Sequence, residues 1–493
     1  MKKFQNYIDG KWCDSSSQQT FENRNPANKN ELLGTFPKST KEDVEKAVQS
    51  AKKSFESWRL TPAPKRGDIL RKVGDILTQR KEELAKIMTK EMGKVLLETR
   101  GDVQEGIDTA YYAATEGRRL FGHTVPSELN NKFNMSIRTP IGVCGLITPW
   151  NFPLAIPTWK MFPALLCGNT VVFKPAMQTP ETATRFVEIL IEAGIPNGVV
   201  NLIHGAGSEI GNAIVEHNDV EVISFTGSTE VGKKISKSAA DTLKRVSLEL
   251  GGKNAQIVMD DADLDLALDG VLWGAFGTTG QRCTATSRLI LHEKIHDKFL
   301  EMLLTRVKKL RLGDGLLSTT DVGPCVSESQ RNTVHQYVEI GKKEGANLLI
   351  GGEFATEGEL DNGWFYKPTI FTNVTPNMRI AKEEIFGPVL SVIKTSNVFE
   401  AIQILNNTIY GLSSSIYTKN INDAFAAMRD IKAGIVYINA PTIGAEAHMP
   451  FGGVKQTGNG HREGGWTVFD FYSEWKTIYV DYSGNFQRAQ IDS

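Results

Sequence analysis

Val143-Cys144-Gly145-Leu146-Ile147-Thr148, followed at once by Pro149-Trp150-Asn151-Phe152-Pro153, decides the fold. A short apolar run of this kind is a strand buried on both faces, and the proline-bounded stretch after it precedes a helical segment. The pattern recurs at Thr170 to Lys174, Val199 to His204, Val220 to Phe225 and Val246 to Leu250, with helical segments between. Strands alternating with helices predict a parallel, doubly wound α/β sheet, whose ligands bind beyond the carboxyl ends of its strands. A second series follows Gly251-Gly252, with strands at Ala255 to Met259, Arg288 to Leu291 and Leu348 to Ile350 and a helix over 294–310. It predicts a second α/β unit.

Upstream, Asp9-Gly10 between the short flanks of Asn6 to Trp12 is a two-residue hairpin signal. Thr40 caps a helix that repeats Val44, Ala47, Val48, Ala51, Phe55 and Trp58 on one face, and helical spacing resumes from Ile69 to Met92. Between Phe121 and Pro140 the pattern becomes strand-like around Asn130-Asn131, which predicts a protruding hairpin. The terminal stretch Glu474 to Tyr482 alternates like a strand and needs an edge to pair with, either this hairpin or its copy in another subunit.

A chain of 493 residues divides into two or three domains. Charged residues are 23% and the net charge is -1, which gives no electrostatic reason for nucleic acid or an anionic membrane as partner. The cysteines, Cys13, Cys144, Cys167, Cys283 and Cys325, are scattered and form no C-x-x-C pair, so the sequence suggests neither a disulfide framework nor a metal site. A reducing cytosol fits this usage. The amino terminus lacks the apolar core of a signal peptide, and no run is apolar for long enough to span a membrane.

Chemistry concentrates at strand ends. Cys283, in Gly280-Gln281-Arg282-Cys283-Thr284, is a thiol among small polar neighbours, suited to attack a carbonyl and later leave. A lone cysteine is ordinarily a core residue, so its company decides. Asn151 offers a neutral amide donor for an oxyanion. Lys174 ends a strand and offers an ammonium to a ribose or phosphate. His204-Gly205-Ala206-Gly207-Ser208-Glu209-Ile210-Gly211 and Phe225-Thr226-Gly227-Ser228 each join strand to helix, where exposed N–H groups suit a dinucleotide. The first misses the dinucleotide fingerprint by one residue. Glu249 and Glu384 are carboxylates beside glycines, Glu249 as a general base and Glu384 with Phe386 nearby to pack on a planar ring.

With Asn151, Lys174, Glu249, Cys283, Glu384 and Pro450-Phe451-Gly452-Gly453 in view, the chain resembles the NAD(P)-dependent aldehyde dehydrogenase superfamily over nearly its whole length. The resemblance implies a Rossmann-like cofactor domain (1–120 and 141–250) and an α/β catalytic domain (251–440). It further implies an oligomerisation arm (121–140 and 471–493) and a return segment (441–470). It implies that Cys283 forms a thioester, Asn151 holds the oxyanion, Glu249 activates water, and Lys160 and Glu463 relay its proton. Cofactor contacts are expected from Ile147, Thr148, Pro149, Trp150, Lys174, Met177, Gly207, Gly211, Phe225, Gly227, Ser228, Leu250, Glu384 and Phe386. An aldehyde tunnel is expected from Phe152, Trp159, Phe276 and Phe451. Arg282 and Arg288 flank Cys283 as candidate binders of a substrate carboxylate, with structural contacts as the favoured reading of Arg282.

Two departures carry expectations. Met177 stands where the family usually has a glutamate that repels a 2′-phosphate, so NADP is expected to be accepted alongside NAD. Gly460-His461-Arg462-Glu463 inserts one residue, and the run from Gly444 to Glu463 is similar to relatives that oxidise acid semialdehydes. Apolar aldehydes are the other expected class. The competing readings are a coenzyme A-acylating enzyme, against which Glu249 speaks, and a non-enzymatic member, against which the intact Asn151, Glu249 and Cys283 speak. A homodimer or homotetramer is expected.

Overall fold

Asp9 and Gly10 take the left-handed backbone that a two-residue hairpin demands, with φ of 52° and 79°. They join β1 (Asn6–Ile8) to β2 (Lys11–Cys13). The computed structural model describes residues 2–491. A second antiparallel pair, β3 (Thr20–Asn25) and β4 (Asn28–Pro37), leads to four helices: α1 (Lys41–Trp58), α2 (Ala63–Gln79), α3 (Lys81–Met92) and α4 (Leu96–Glu116). Thr40 caps α1 in a capping box with Asp43. The continuous helical spacing from Ile69 to Met92 is broken in two at Arg80, whose φ of -100° and ψ of 13° lie outside the helical region. Periodicity survives such a one-residue kink, so the sequence did not reveal it.

The strands β5 (His123–Pro126) and β6 (Lys132–Pro140) form the expected hairpin around Asn131, which is left-handed at φ 58°. The parallel strands then follow: β7 (Val143–Ile147), β8 (Thr170–Lys174), β9 (Val200–Leu202), β10 (Val222–Thr226) and β11 (Arg245–Glu249). Between them run α5 (Ala155–Cys167), α6 (Pro180–Ala193), α7 (Asn212–Glu216) and α8 (Thr229–Ala240). The sheet order is β11-β10-β7-β8-β9-β1-β2. The chain therefore moves outward from β7 on one side and restarts at β10 on the other, which makes the carboxyl end of β7 a topological switch point. Register pairs Ile147 with Lys174 and with Phe225, and Thr226 with Glu249, so these residues share one rim. Leu70, Val103 and Phe162 cover one face of the sheet, and Val44, Val48, Ile214 and Ile235 the other.

The second sheet is built from β12 (Asn254–Val258), β13 (Thr286–His292), β14 (Asn347–Ile350), β15 (Thr369–Thr372), β16 (Val389–Thr395), β17 (Ser413–Tyr417) and β18 (Ile435–Ile438). Its order is β14-β15-β16-β13-β12-β17-β18, parallel except at β14, with α9 (Leu264–Phe276) packed against it. The final strand, β19 (Ser473–Asp481), pairs antiparallel with β6 of the same chain from Ser473↔Pro140 to Asp481↔Lys132. No helix among the described residues is long and apolar enough to cross a membrane.

The middle of β7 is packed too tightly for a side chain: a Cβ on Gly145 would sit 2.4 Å from Ile214 Cγ2. Gly145→Val is expected to destabilise the fold by about 1–3 kcal/mol through overpacking. Urea unfolding would register it as a lower midpoint, and an unchanged midpoint would contradict this packing.

Candidate active site

Three consecutive residues shortly before Cys283 are left-handed: Thr278, Thr279 and Gly280, with φ of 52°, 57° and 67°. Each non-glycine residue there costs about 1–2 kcal/mol, so the turn persists only because its surroundings fix it. Thr278 N–H donates to Glu98 Oε1 at 2.6 Å, Thr279 Oγ1 to Gly323 O at 2.9 Å, and Arg282 Nε to Thr278 Oγ1 at 2.8 Å. A Cβ on Gly280 would lie 2.2 Å from Gly387 O, which excludes any other residue. The turn delivers Cys283, half-buried, to the space between the two sheets. Burial, with Glu384 and Glu249 nearby, pushes its thiol up to about 12, and the backbone N–H groups of Cys283 and Thr284 oppose the rise.

Asn151 follows β7 at the switch point. Lys94 Nζ donates to Asn151 O at 2.9 Å and to Asp102 Oδ2 at 2.6 Å, while Asp102 Oδ1 accepts from Ala155 N–H at 2.7 Å. These bonds fix the Asn151 peptide and the start of α5. The Asn151 side-chain oxygen is buried without a partner among the described residues.

Glu249 ends β11. Both its oxygens are buried without a hydrogen-bond partner among the described residues. Burial pushes its carboxyl well above the ordinary range, Glu463 adds to the rise, and Lys160 and Arg462 oppose it. Beside it, Lys160 Nζ lies 2.6 Å from Glu463 Oε1 and donates to Ser224 Oγ at 2.9 Å. The return segment is held by paired backbone bonds between Phe451 and Glu463. The inserted residue sits in a loop anchored to β11, where Leu248 N–H donates to Asn459 Oδ1 at 3.0 Å and Asn459 Nδ2 to Val246 O at 2.7 Å.

A cavity of about 300 Å³ opens from Cys283 toward the rim of the first sheet. Pro149, Trp150, Gly227, Ser228, Leu250, Glu384 and Phe386 line it, as the sequence led us to expect, and Gln330 joins them unforeseen. Glu384 Oε1 accepts from Gly252 N–H at 3.0 Å, and burial raises its carboxyl to about 7. Further along the rim, burial alone lowers Lys174 to about 8. A Cβ on Gly207 would stand 3.8 Å from Lys174 Nζ, and one on Gly211 4.0 Å from Ile147. Thr148 donates its N–H to Lys174 O, and Met177 is half-buried just past the strand. Phe225 is corrected: its ring packs in the core beneath Gly227 instead of lining the cavity.

A second cavity, of about 360 Å³, reaches Cys283 from the other side. Phe152, Trp159, Phe451 and Arg282 line it as expected. Phe276 does not: it is 1% exposed in the core of the second sheet and faces a separate cavity. Trp273, one turn earlier on α9, takes its place. Arg288 is also corrected, because its guanidinium is spent on the carbonyls of Lys253, Ile404 and Leu405. Arg282 is paired with Glu98 at 3.1 Å and stacks on Trp273 at 4.6 Å, the structural contact of the two readings.

One cysteine thus lies where two cavities meet, one rimmed like a dinucleotide site and the other walled by aromatic and charged side chains. The chain belongs to the aldehyde dehydrogenase family. The family pattern matches residues 12–478. The chain is 46% identical to the alpha-ketoglutaric semialdehyde dehydrogenase of Bacillus subtilis, covering 96% of this chain and 97% of that one. It is 43% identical to the 2,5-dioxopentanoate dehydrogenase of Saccharolobus solfataricus, covering 97% and 99%. Among solved structures, betaine aldehyde dehydrogenase from Staphylococcus aureus in complex with NAD+ superposes with a TM-score of 0.95 at 39% identity, over 99% of this chain and 97% of that one. This aldehyde dehydrogenase accordingly oxidises an aldehyde to a carboxylic acid with a nicotinamide dinucleotide as cofactor.

Sequence reasoning missed Lys94, Asp102, Trp273 and Glu105. A signal existed for part of this: Glu98, Asp102 and Glu105 recur at i, i+4 and i+7, one face of α4. The Lys94–Asp102 pair is wholly buried. Lys94→Met leaves that carboxylate unpaired and is expected to cost about 3–5 kcal/mol of stability in urea unfolding, with loss of turnover as Asn151 is released. A Lys94→Met protein as stable and active as the parent would refute the clamp.

Proposed function

We propose that Cys283 is the nucleophile, Asn151 and the Cys283 backbone N–H the oxyanion donors, and Glu249 the base for thioester hydrolysis. The meeting of both cavities at Cys283 carries this reading. The Cys283 thiol gives its proton to Glu249, which passes it on to the Lys160–Glu463–Ser224 path, as the sulfur bonds to the aldehyde carbon and the carbonyl oxygen becomes an oxyanion facing the Asn151 amide. A bound nicotinamide dinucleotide would accept the hydride that leaves this carbon, which makes the adduct a thioester. The residues present fit that cofactor: Ser228 opens α8, Lys174 stands on the rim, and Glu384 lines the cavity. Glu249 then takes a proton from water, which attacks the thioester carbon; the C–S bond breaks and the acid leaves. Glu249 is suited to this because no hydrogen bond stabilises its ionised form. Lys160, Glu463 and Ser224 provide a buried polar path for the proton.

The substrate's far end has two precedents among the relatives, which are named for an acid semialdehyde and for betaine aldehyde. The three-stranded sheet β19-β6-β5, with Phe133, Ile137 and Tyr479 exposed in the single chain, is our choice for the contact between copies. The five cysteines stand free, which supports a reducing compartment.

Two outcomes test the proposal. Glu249→Gln is expected to release one burst of reduced cofactor and then turn over about 10²–10⁴-fold more slowly, with the thioester accumulating on Cys283, whereas Cys283→Ala shows no burst. Coenzyme A should not accelerate the parent enzyme. As for the cofactor, Met177, just past the Lys174 strand end, cannot repel a 2′-phosphate, so NADP is used alongside NAD. A kcat/KM ratio favouring NAD by more than about a hundredfold, near 3 kcal/mol, would refute that, and Met177→Glu is expected to move the ratio toward NAD.

A further inference from the structure

Four charged side chains line the cavity that ends on Cys283, namely Glu98, Asp102, Glu105 and Arg282, and all but Glu105 are paired, Asp102 with Lys94 behind the wall. Arg282 lies 3.1 Å from Glu98, and Lys94 2.6 Å from Asp102. Glu105 is left over. It lines the same cavity, and its Oε1 is buried without a hydrogen-bond partner among the described residues. Burial raises its carboxyl to about 8; Asp102 and Asp108 add to the rise, while Lys94 and Arg282, already committed to their own partners, oppose it. A buried carboxyl in this state lacks a cation.

The walls agree with that. Phe152 and Trp273 have cations over their rings, Lys94 at 4.0 Å and Arg282 at 4.6 Å. Trp159 and Phe451 lie 4.8 Å apart and line the cavity, and among the described residues no side-chain cation lies over either ring. Aromatic faces beside an unpartnered carboxyl suit an alkylammonium group, by cation–π attraction and a charge-assisted hydrogen bond. A substrate carboxylate meets the opposite: the one guanidinium in the wall is already neutralised, and Arg288 is turned away. Bringing an anion beside Glu105 costs energy in either protonation state, through repulsion or through holding the proton on.

We propose that Glu105 is the specificity-determining residue of this tunnel and selects aldehydes that carry a positively charged amine at the end remote from the carbonyl. The inference deepens the reading of Cys283 as nucleophile and rests on it. It sets this chain apart from relatives named for acid semialdehydes.

The test compares kcat/KM for 4-trimethylammoniobutanal, which cannot cyclise, with pentanal and succinic semialdehyde. The parent enzyme is expected to favour the cation over the carboxylate by at least about tenfold, carried mainly by KM. Glu105→Gln is expected to cut the cation-to-pentanal ratio about tenfold, and Glu105→Lys to turn the preference toward succinic semialdehyde. A parent enzyme that prefers succinic semialdehyde, or a ratio that Glu105→Gln leaves unchanged, overturns the proposal. Quenching of tryptophan fluorescence by the unreactive 4-trimethylammonio-1-butanol reads the site without turnover. Binding weakened about tenfold in Glu105→Gln supports the proposal, and equal binding in the two proteins overturns it. Failure to oxidise any of the aldehydes, pentanal included, would strike the nucleophile assignment and leave that binding result to decide on Glu105.

Discussion

The buried ammonium of Lys94 is the constraint on which the site's geometry depends. It stands in the turn between α3 and α4 and reaches across to Asp102 on α4 and to the Asn151 carbonyl at the end of β7. Asp102 in turn receives the first free N–H of α5. One charge pair thus ties the helical layer to the switch point of the sheet, where loop backbone would otherwise be the least determined part of the fold. A buried pair of this kind contributes little net stability compared with an apolar substitute, but it tolerates few alternative arrangements. That intolerance is useful where an amide has to be aimed at a developing oxyanion.

Two buried glutamates show how hydrogen bonding separates a structural group from a reactive one. Glu91 is as deeply buried as Glu249, but its oxygens receive N–H groups from Glu181 and Thr182, the Thr182 hydroxyl and the Asn23 amide. It caps α6 and is fully occupied. Glu249 receives none, so its carboxyl gains most from taking or giving a proton, and the nearby Lys160–Glu463 pair provides somewhere for that proton to go. The left-handed turn at Thr278-Thr279-Gly280 follows the same logic in backbone form, since its strain is balanced by bonds from Glu98, Gly323 and Arg282.

The first sheet was legible because its strands are short apolar runs, whereas of the second only β12, β13 and β14 were read and β15 to β18 were not. Asn151 and Glu249 were singled out because topology puts the ends of the first sheet's strands on one rim, and Cys283, in the turn ahead of β13, by its small polar neighbours. Phe276 and Trp273 needed side-chain direction as well: they lie three residues apart on α9, and spacing alone cannot say which face of a helix meets a cavity built by another sheet. Phe225 failed for a related reason, since consecutive strand residues point to opposite faces and its ring fell on the core side. Arg288 is read as an anion site only until its five donors are counted against backbone carbonyls. Lys94 escaped because a lysine after a helix-ending glycine is ordinarily solvated.

Burial is the first cause of every large shift at the site, and this unites its parts. The Cys283 thiol is raised to about 12, Glu249 well above its ordinary range and Glu384 to about 7, all with burial as the first cause. The ammonium groups of Lys94 and Lys174 are lowered by the same burial. A charge that develops on a substrate oxygen here would do so in a low-dielectric space, where a fixed amide or a nearby ion pair acts more strongly than it would in water. Burial thus sets the geometry and the proton affinity of the pocket together, its ion pairs fixing the walls beside carboxyls that have no hydrogen-bond partner among the described residues.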